Sequence, residues 1–182
     1  FPGLFDLLSS KNTSDILETI EFFVVGSSFG LPRSHEAIKR CLLLIWSKEP
    51  AVKQAVSAAF QKLYLTPPDS IEKASGMAQA LFYAKSVIHV LDGVSLAESL
   101  AMEELLEEVM KSKDMALFIA VLFDIFVGRV PGATWKDRQS ALHIISMTCL
   151  ANRKLLLDHL DVLLRVGLRV HDRDAMHMPR YC

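Results

Sequence analysis

Four closely spaced glutamates are the first place where this sequence could do chemistry. They are Glu103, Glu104, Glu107 and Glu108, and paired carboxylates can act as general acid and general base. On a regular helix they would form one acidic ridge, and no histidine or nucleophile motif lies beside them. The spacing therefore favours a solvated outer face, with a docking surface for a basic partner segment as the functional alternative.

Two histidines near the carboxyl end are the next candidates, because imidazole could bind a metal ion. His171 and His177 lie close to Asp172, Asp174 and Cys182 in the sequence. Their separation does not place two ligands on one face of a helix, whereas a spacing of roughly three or four residues would. We therefore expect no metal site.

Two glycine-containing runs are the remaining candidates for an active-site loop. The run 26–30 has glycine at both ends but lacks the Lys-Ser or Lys-Thr pair of a phosphate-binding loop. The run 93–97 has Ala97 where a nucleophile elbow needs its second glycine, so Ser95 is better explained as a helix cap. The sequence predicts a protein that is not an enzyme and uses no cofactor and no small-molecule substrate.

The composition is that of an ordinary globular protein. The chain has 182 residues, 51% of them hydrophobic and 23% charged, with a formal net charge of −1. This balance argues against a general binder of nucleic acid or acidic membranes. The densest apolar stretch, 115–127, is shorter than the ~20 residues that cross a bilayer, so no membrane partner is expected. Cys41, Cys149 and Cys182 are far apart, which favours buried thiols in a reducing compartment.

Signals for helix starts and stops recur along the chain, with apolar residues at helical spacing between them. Pro50 suits the first turn of a helix, and Pro67-Pro68 would end that helix. Because no secretory signal is visible at Phe1, and the last residues stop without a helix terminator, we expect a piece of a longer protein. The predicted capping residues are Ser34, Asp69 or Ser70, Ser95 with Glu98, Asp114, and Thr134 with Asp137. Further helices are expected after residues 12–14 and from Asn152.

The same spacing predicts which faces of these helices are apolar. The helix that follows Asp114 is apolar nearly all round, which indicates burial on more than one side. The helix after Ser34 is expected to carry Ile38, Leu42, Ile45 and Trp46 on one side. One long helix after Pro68 is expected to turn inward Met77, Leu81, Ala84, Ile88 and Leu91.

No segment alternates with the period of two that marks a strand, so the fold class is predicted to be all-α. The helices fall into successive pairs of about 40 residues, which is the period of HEAT and armadillo repeats. We expect residues 1–182 to form a single α-solenoid segment of about four helix pairs. The pairs are 13–46, 49–91, 95–128 and 134–168, and a further helix would begin at 172–182.

Charge is unevenly distributed along the chain. Residues 66–128 hold 4 basic and 10 acidic side chains, whereas residues 129–182 hold 9 basic and 5 acidic ones. Several of the later basic residues could line one edge of the solenoid and contact DNA phosphates. The alternative is dispersed surface charge, with Arg138 as a structural arginine. The candidate DNA contacts are Arg129, Lys136, Arg165, Arg169 and Arg173.

Several runs of residues resemble a known family. The run 137–145 has the HEAT pattern of an acidic residue, Arg and then Ala-Leu, and 52–56 has a weaker form. Runs near both ends resemble the large HEAT-repeat subunits of condensin, while the middle of the chain matches mainly in helix order and in 105–109. The runs that carry the resemblance are 7–11, 20–24, 43–49, 60–65, 160–168 and 179–182.

This resemblance implies a non-enzymatic scaffold in a chromosome-organising ATPase complex. Members of the family hold a kleisin subunit, approach the heads of the SMC (structural-maintenance-of-chromosomes) ATPases and help the complex engage DNA during mitotic condensation. The implied partners are the kleisin and SMC subunits, with weak contact to double-stranded DNA. The implied location is the nucleus and chromosomes, with the cytoplasm in interphase. The alternative is a HEAT-type adaptor for transport or trafficking, whose acidic ridge would bind a basic peptide.

Overall fold

All regular secondary structure in the described part of the chain is helical. The computed structural model describes residues 2–31, 34–112 and 115–167, and no strand occurs in those ranges. This confirms the predicted all-α, HEAT-like fold class, while the boundaries of the helix pairs stay a prediction. The α-helices of the described residues are α1 (Pro2–Leu7), α2 (Thr13–Ser28), α3 (Ser34–Leu42), α4 (Pro50–Tyr64), α5 (Asp69–Glu72), α6 (Gly76–Val90), α7 (Leu96–Ser112), α8 (Ala116–Val127), α9 (Trp135–Ala151) and α10 (Arg153–Val162).

Reciprocal caps fix the starts of two long helices. Thr134 Oγ1 accepts a hydrogen bond from the backbone N–H of Asp137, and the Asp137 carboxylate accepts one from the backbone N–H of Thr134 at 2.8 Å. Ser95 and Glu98 form the same arrangement before α7. Each box satisfies donors that the first turn of a helix leaves unpaired. Both predicted capping boxes are therefore confirmed.

Single side-chain caps start two other helices. Asn12 Oδ1 accepts a hydrogen bond from the N–H of Ser14 at 3.1 Å, before α2. Asn152 Oδ1 accepts one from the N–H of Lys154 at 3.1 Å, before α10. Helices were predicted to begin at these two places, whereas the caps themselves were not predicted. The structure starts α8 after Met115, with no side-chain cap, and Asp114 lies outside the described residues.

The chain divides into two compact units, the first of which comprises Phe1–Thr66 and Gly93–Val109. In this unit α2 packs against α3 and α4. Pro50 occupies the first turn of α4, as predicted, because its missing N–H would be unpaired there in any case. The core of the first unit includes Ile20, Phe23, Ile38, Leu42, Val52, Val56, Phe60, Met102, Leu105, Leu106 and Val109.

The second unit comprises Pro67–Asp92 and Met110–Cys182. Here α8 packs against both α6 and α9, and α10 packs against α9. Because α8 has neighbours on two sides, its apolar residues are buried nearly all round, as predicted. Those residues are Phe118, Ile119, Val121, Leu122, Phe123, Ile125 and Phe126.

The predicted second helix is shorter than expected. The α-helix ends at Leu42, and Leu43–Trp46 follow as a 3₁₀ turn. The tighter winding changes the direction of the side chains. Ile45 is buried, but Trp46 is 56% exposed, so the expectation that Trp46 lies on the same face as Ile38 and Leu42 was wrong.

The predicted long helix after Pro68 is two helices. A single turn, α5, is followed by a break at Lys73-Ala74-Ser75 and then by α6. The break occurs because Ser75 caps α6 through its hydroxyl, which accepts a hydrogen bond from the N–H of Ala78 at 3.3 Å. Asp69 is therefore not the cap of the long helix, and Met77 is exposed rather than inward.

The last described helix buries little of its own surface. No residue of α10 is buried, and a π-helical turn, Leu163–Gly167, continues it. Of the four leucines predicted on one face, Leu163 is buried, while Leu156, Leu160 and Leu164 are exposed. The further helix predicted at 172–182 lies outside the described residues.

Candidate functional site

Two of the predicted DNA-contact arginines are exposed and have acidic neighbours. Arg129 Nη1 lies 3.2 Å from Asp124 Oδ1. Arg165 Nε lies 2.8 Å from Asp161 Oδ1, one helical turn earlier. Exposed ion pairs of this kind contribute about 0–1 kcal/mol, so a phosphate group could compete for either guanidinium. The pairing nevertheless weakens the positive field at both positions.

Lys136 is the third predicted DNA contact that the structure describes. Its Nζ lies 2.6 Å from Asp92 Oδ1, and the pair joins the start of α9 to the end of α6. Lys136 is exposed, and it also lines a cleft. Arg169 and Arg173, the other two predicted contacts, lie outside the described residues.

Arg138 holds two helices together. Its Nε donates a hydrogen bond to the carbonyl oxygen of Phe126 at 2.9 Å, and its guanidinium lies 5.2 Å from the ring centroid of Trp135. The carbonyl of Phe126 is one of the last in α8, which the helix itself leaves unpaired. Arg138 is therefore a structural arginine, which was the alternative considered from the sequence.

The acidic ridge lies on α7, as the spacing predicted. Glu104 and Glu108 are exposed, whereas Glu103 and Glu107 are half-buried. The opposite face of α7 carries fully buried core residues of the first unit, so the ridge lies at the surface. The structure thus brings the four carboxylates together on one helix.

The structure also forms a polar cleft that the sequence did not reveal. The cleft has a volume of about 340 Å³ and lies in the second unit, between α6 and the start of α9. Residues that are far apart in the chain meet here, so no local motif could have identified it. Its polar lining is Lys85, His89, Asp92, Lys136, Asp137 and Ser140.

An apolar groove continues from this cleft along the outer face of α6. It has a volume of about 560 Å³, and Lys85 and His89 line both the groove and the cleft. The other lining residues of the groove are mainly apolar. They are Ile71, Ala78, Leu81, Phe82 and Ser86.

The buried ionisable groups have the properties of core residues rather than of catalysts. Burial raises the pKa of the Cys41 thiol to about 12 and that of Tyr64, which also lies near this thiol, to about 12. Burial also raises the pKa of Cys149 and lowers that of His143. A thiol with a raised pKa is a poor nucleophile. Both Cys41 and Cys149 are buried free thiols, as predicted.

The described part of the chain offers no candidate metal site and no candidate membrane span. Its His, Cys, Asp and Glu side chains form no group of three that could hold a metal ion. None of its helices is both long and apolar enough to cross a membrane. His171 and His177, whose spacing led us to expect no metal site, lie outside the described residues.

Comparisons with known proteins identify relatives that cover nearly the whole chain. Condensin complex subunit 1 of Mus musculus is 34% identical over 167 residues, which is 91% of this chain and 12% of that protein. The Xenopus laevis protein of the same name is 32% identical over 85% of this chain and 11% of its own length. The Schizosaccharomyces pombe protein is 29% identical over 96% of this chain and 15% of its own length. No family model matches the chain.

The chain therefore spans only 12% of the length of the mouse relative. The match nevertheless covers nine-tenths of this chain, and it recurs in vertebrate and yeast proteins that bear the same name. The resemblance expected from the sequence is confirmed, and the chain belongs, as a segment, to the condensin complex subunit 1 family.

Proposed function

We propose that this chain is a non-enzymatic scaffold segment of a condensin regulatory subunit. Such a segment would support mitotic chromosome condensation through contacts with the kleisin subunit and the heads of the SMC ATPases. The observation that carries the proposal is the 34% identity to condensin complex subunit 1 over 91% of the chain. The proposed location is the nucleus and chromosomes, with the cytoplasm in interphase.

The helical architecture supports a scaffold role. Within each unit packed helices bury apolar side chains, while the acidic ridge of α7 and the groove along α6 lie at the surface. Cys41 and Tyr64, whose pKa values burial raises, are core residues. Surfaces of this type suit protein contacts, and we propose that the ATP chemistry of the complex belongs to other subunits.

A segment exchange tests the proposal. The segment of the S. pombe subunit that matches this chain, 29% identical over 182 residues, would be replaced by the chain. We expect the chimera to enter the condensin complex and to support chromosome condensation. A matched chimera carrying Leu122→Asp, which disrupts the core of α8, should fail. A well-expressed chimera that enters no condensin complex would contradict the proposal.

Contact with double-stranded DNA is a second part of the proposal, and it concerns Arg129, Lys136, Arg165, Arg169 and Arg173. The exposure of Arg129 and Arg165 supports it, while their acidic neighbours limit the affinity. Each phosphate contact should make binding weaker as salt rises. Fluorescence anisotropy of labelled duplex DNA across a salt series would measure this, with a charge-reversed variant of Arg129, Arg165, Arg169 and Arg173. Binding that is insensitive to salt and to the variant would overturn the DNA contact.

The acidic ridge is a proposed protein contact, and it also serves the alternative function of an adaptor for a basic peptide. The exposure of Glu104 and Glu108 supports it. A variant with both residues changed to Lys should lose binding to a labelled lysine-rich peptide. If such peptides bind and no condensin subunit does, the adaptor function is the correct one.

A further inference from the structure

Helix α6 has two apolar faces, and only one of them is buried in the second unit. Ala80, Ala84 and Val87 face the core and are at most 3% exposed. A second stripe, at positions 78, 81, 82, 85 and 89, lines the groove described above. The spacing of these positions places them on one side of the helix. Apolar surface that a protein leaves uncovered commonly marks an interaction site.

The charge along this stripe changes from one end to the other. The end nearer Ile71 is apolar, with Leu81 and Phe82 half-buried in the groove wall. The other end opens into the polar cleft, where Lys85 is exposed and has no ion-pair partner among the described residues. A partner must therefore match an apolar surface first and a positive charge next.

The two carboxylates of the cleft have partners other than Lys85. Asp92 lies 2.6 Å from Lys136 Nζ. Asp137 accepts hydrogen bonds from the backbone and the hydroxyl of Thr134. Both carboxylates line the cleft and not the groove, so Lys85 supplies the formal charge among the described residues that line the groove.

We propose that the groove along α6 binds a short partner segment that carries apolar side chains followed by an acidic one. The apolar side chains would pack against Leu81 and Phe82, and the carboxylate would bind Lys85. The seven residue steps of helix from Ala78 to Lys85 span about 10 Å, which an extended peptide covers in about three residues. The inference deepens the proposed scaffold function, on which it rests, by naming the chemistry of a partner segment.

Selection from a random peptide library tests the inference without assuming a sequence. A phage-displayed library of random peptides would be selected on the immobilised 182-residue chain. We expect the enriched peptides to combine apolar residues with Asp or Glu about three residues away. The best peptide, labelled with fluorescein, should bind Lys85→Glu at least tenfold more weakly than the unchanged chain. Lys53→Glu, on the exposed surface of α4 in the first unit, is the matched control and should bind as the unchanged chain does.

A second variant tests the apolar end of the groove. Phe82→Ala should weaken binding of the same peptide, and circular dichroism would show that its helices are retained. The inference is overturned if no peptide is enriched, if basic peptides are enriched, or if Lys53→Glu and Lys85→Glu weaken binding equally. If the chain still binds condensin subunits in any of those cases, the scaffold function stands and only the α6 site fails.

Discussion

Arg138 Nε donates a hydrogen bond to the carbonyl oxygen of Phe126 at 2.9 Å, and this contact joins the start of α9 to the end of α8. The chain between the two residues turns at Gly128, whose φ of 86° is readily available only to glycine. A Cβ atom at Gly128 would lie 3.7 Å from the Arg138 guanidinium. The arginine therefore covers the turn while it donates a hydrogen bond to a carbonyl group at the end of α8.

Loss of this arginine should destabilise the second unit. Because Arg138→Ala leaves the Phe126 carbonyl without its charged donor, we expect a loss of about 1–2 kcal/mol in the free energy of unfolding. Urea denaturation followed by circular dichroism measures it. Arg129→Ala removes only an exposed ion pair and should change stability by less than about 0.5 kcal/mol. Equal effects of the two substitutions would show that the contact with Phe126 is unimportant.

The capping box of α9 should also contribute measurably. Thr134→Ala removes the hydroxyl that accepts from the N–H of Asp137, so we expect a loss of about 1 kcal/mol. Thermal unfolding of the chain is a suitable readout. Ser70→Ala, at an exposed position of α5, should cause no loss. An unchanged melting temperature for Thr134→Ala would show that the capping box does not stabilise α9.

Core residues of α8 should be the most sensitive to truncation. Leu122 has no exposed surface, and Leu122→Ala should cost about 2–5 kcal/mol through lost burial and the cavity that remains. Leu157 is 71% exposed, so Leu157→Ala should be nearly neutral. Chemical denaturation of both variants would reveal the difference. A small loss for Leu122→Ala would mean that α8 is not the centre of the second unit.

The Cys41 thiol should make the chain less stable in alkali. Burial raises the pKa of Cys41 from 9.0 to about 12, so the unfolded chain loses this proton first as the pH rises. The stability that the protonated thiol contributes is complete below pH 9 and is lost as the pH rises towards 12. Between about pH 8 and about pH 10 we expect about 1 kcal/mol of the loss to depend on Cys41.

Cys41→Ala isolates the contribution of this thiol, because the other titrating groups remain. Its free energy of unfolding should fall less steeply with pH than that of the unchanged chain, whatever its absolute stability. Urea titrations at the two pH values measure the slope. Identical slopes would contradict an ionisation that is linked to unfolding at this position.

Local signals in the sequence predicted the elements that depend on local chemistry. The capping boxes of α7 and α9 and the proline at the start of α4 follow from side chains that lie within one turn of the atoms they bind. The all-round burial of α8 follows from its composition. These features need no knowledge of distant residues, which explains why they were predicted correctly.

Features that depend on distant residues were not predicted. The apolar periodicity continues through Leu43–Trp46, so it gave no sign of the 3₁₀ turn or of the exposure of Trp46. The break before α6 had a local signal in Ser75, which competes with the nearby Asp69 and Ser70. Asp92 and Lys136 are 44 residues apart in the chain, so their ion pair, and the cleft that it crosses, emerge only from the fold.

The most direct test of the central claim is co-elution of the purified chain with condensin subunits. The chain would be mixed with a kleisin subunit and with SMC ATPase heads, and each mixture would be separated by size-exclusion chromatography. We predict that the chain shifts to an earlier elution volume with at least one of them and that Leu122→Asp abolishes the shift. A helical, monomeric chain that elutes alone from every mixture would contradict the claim that it is a condensin scaffold segment.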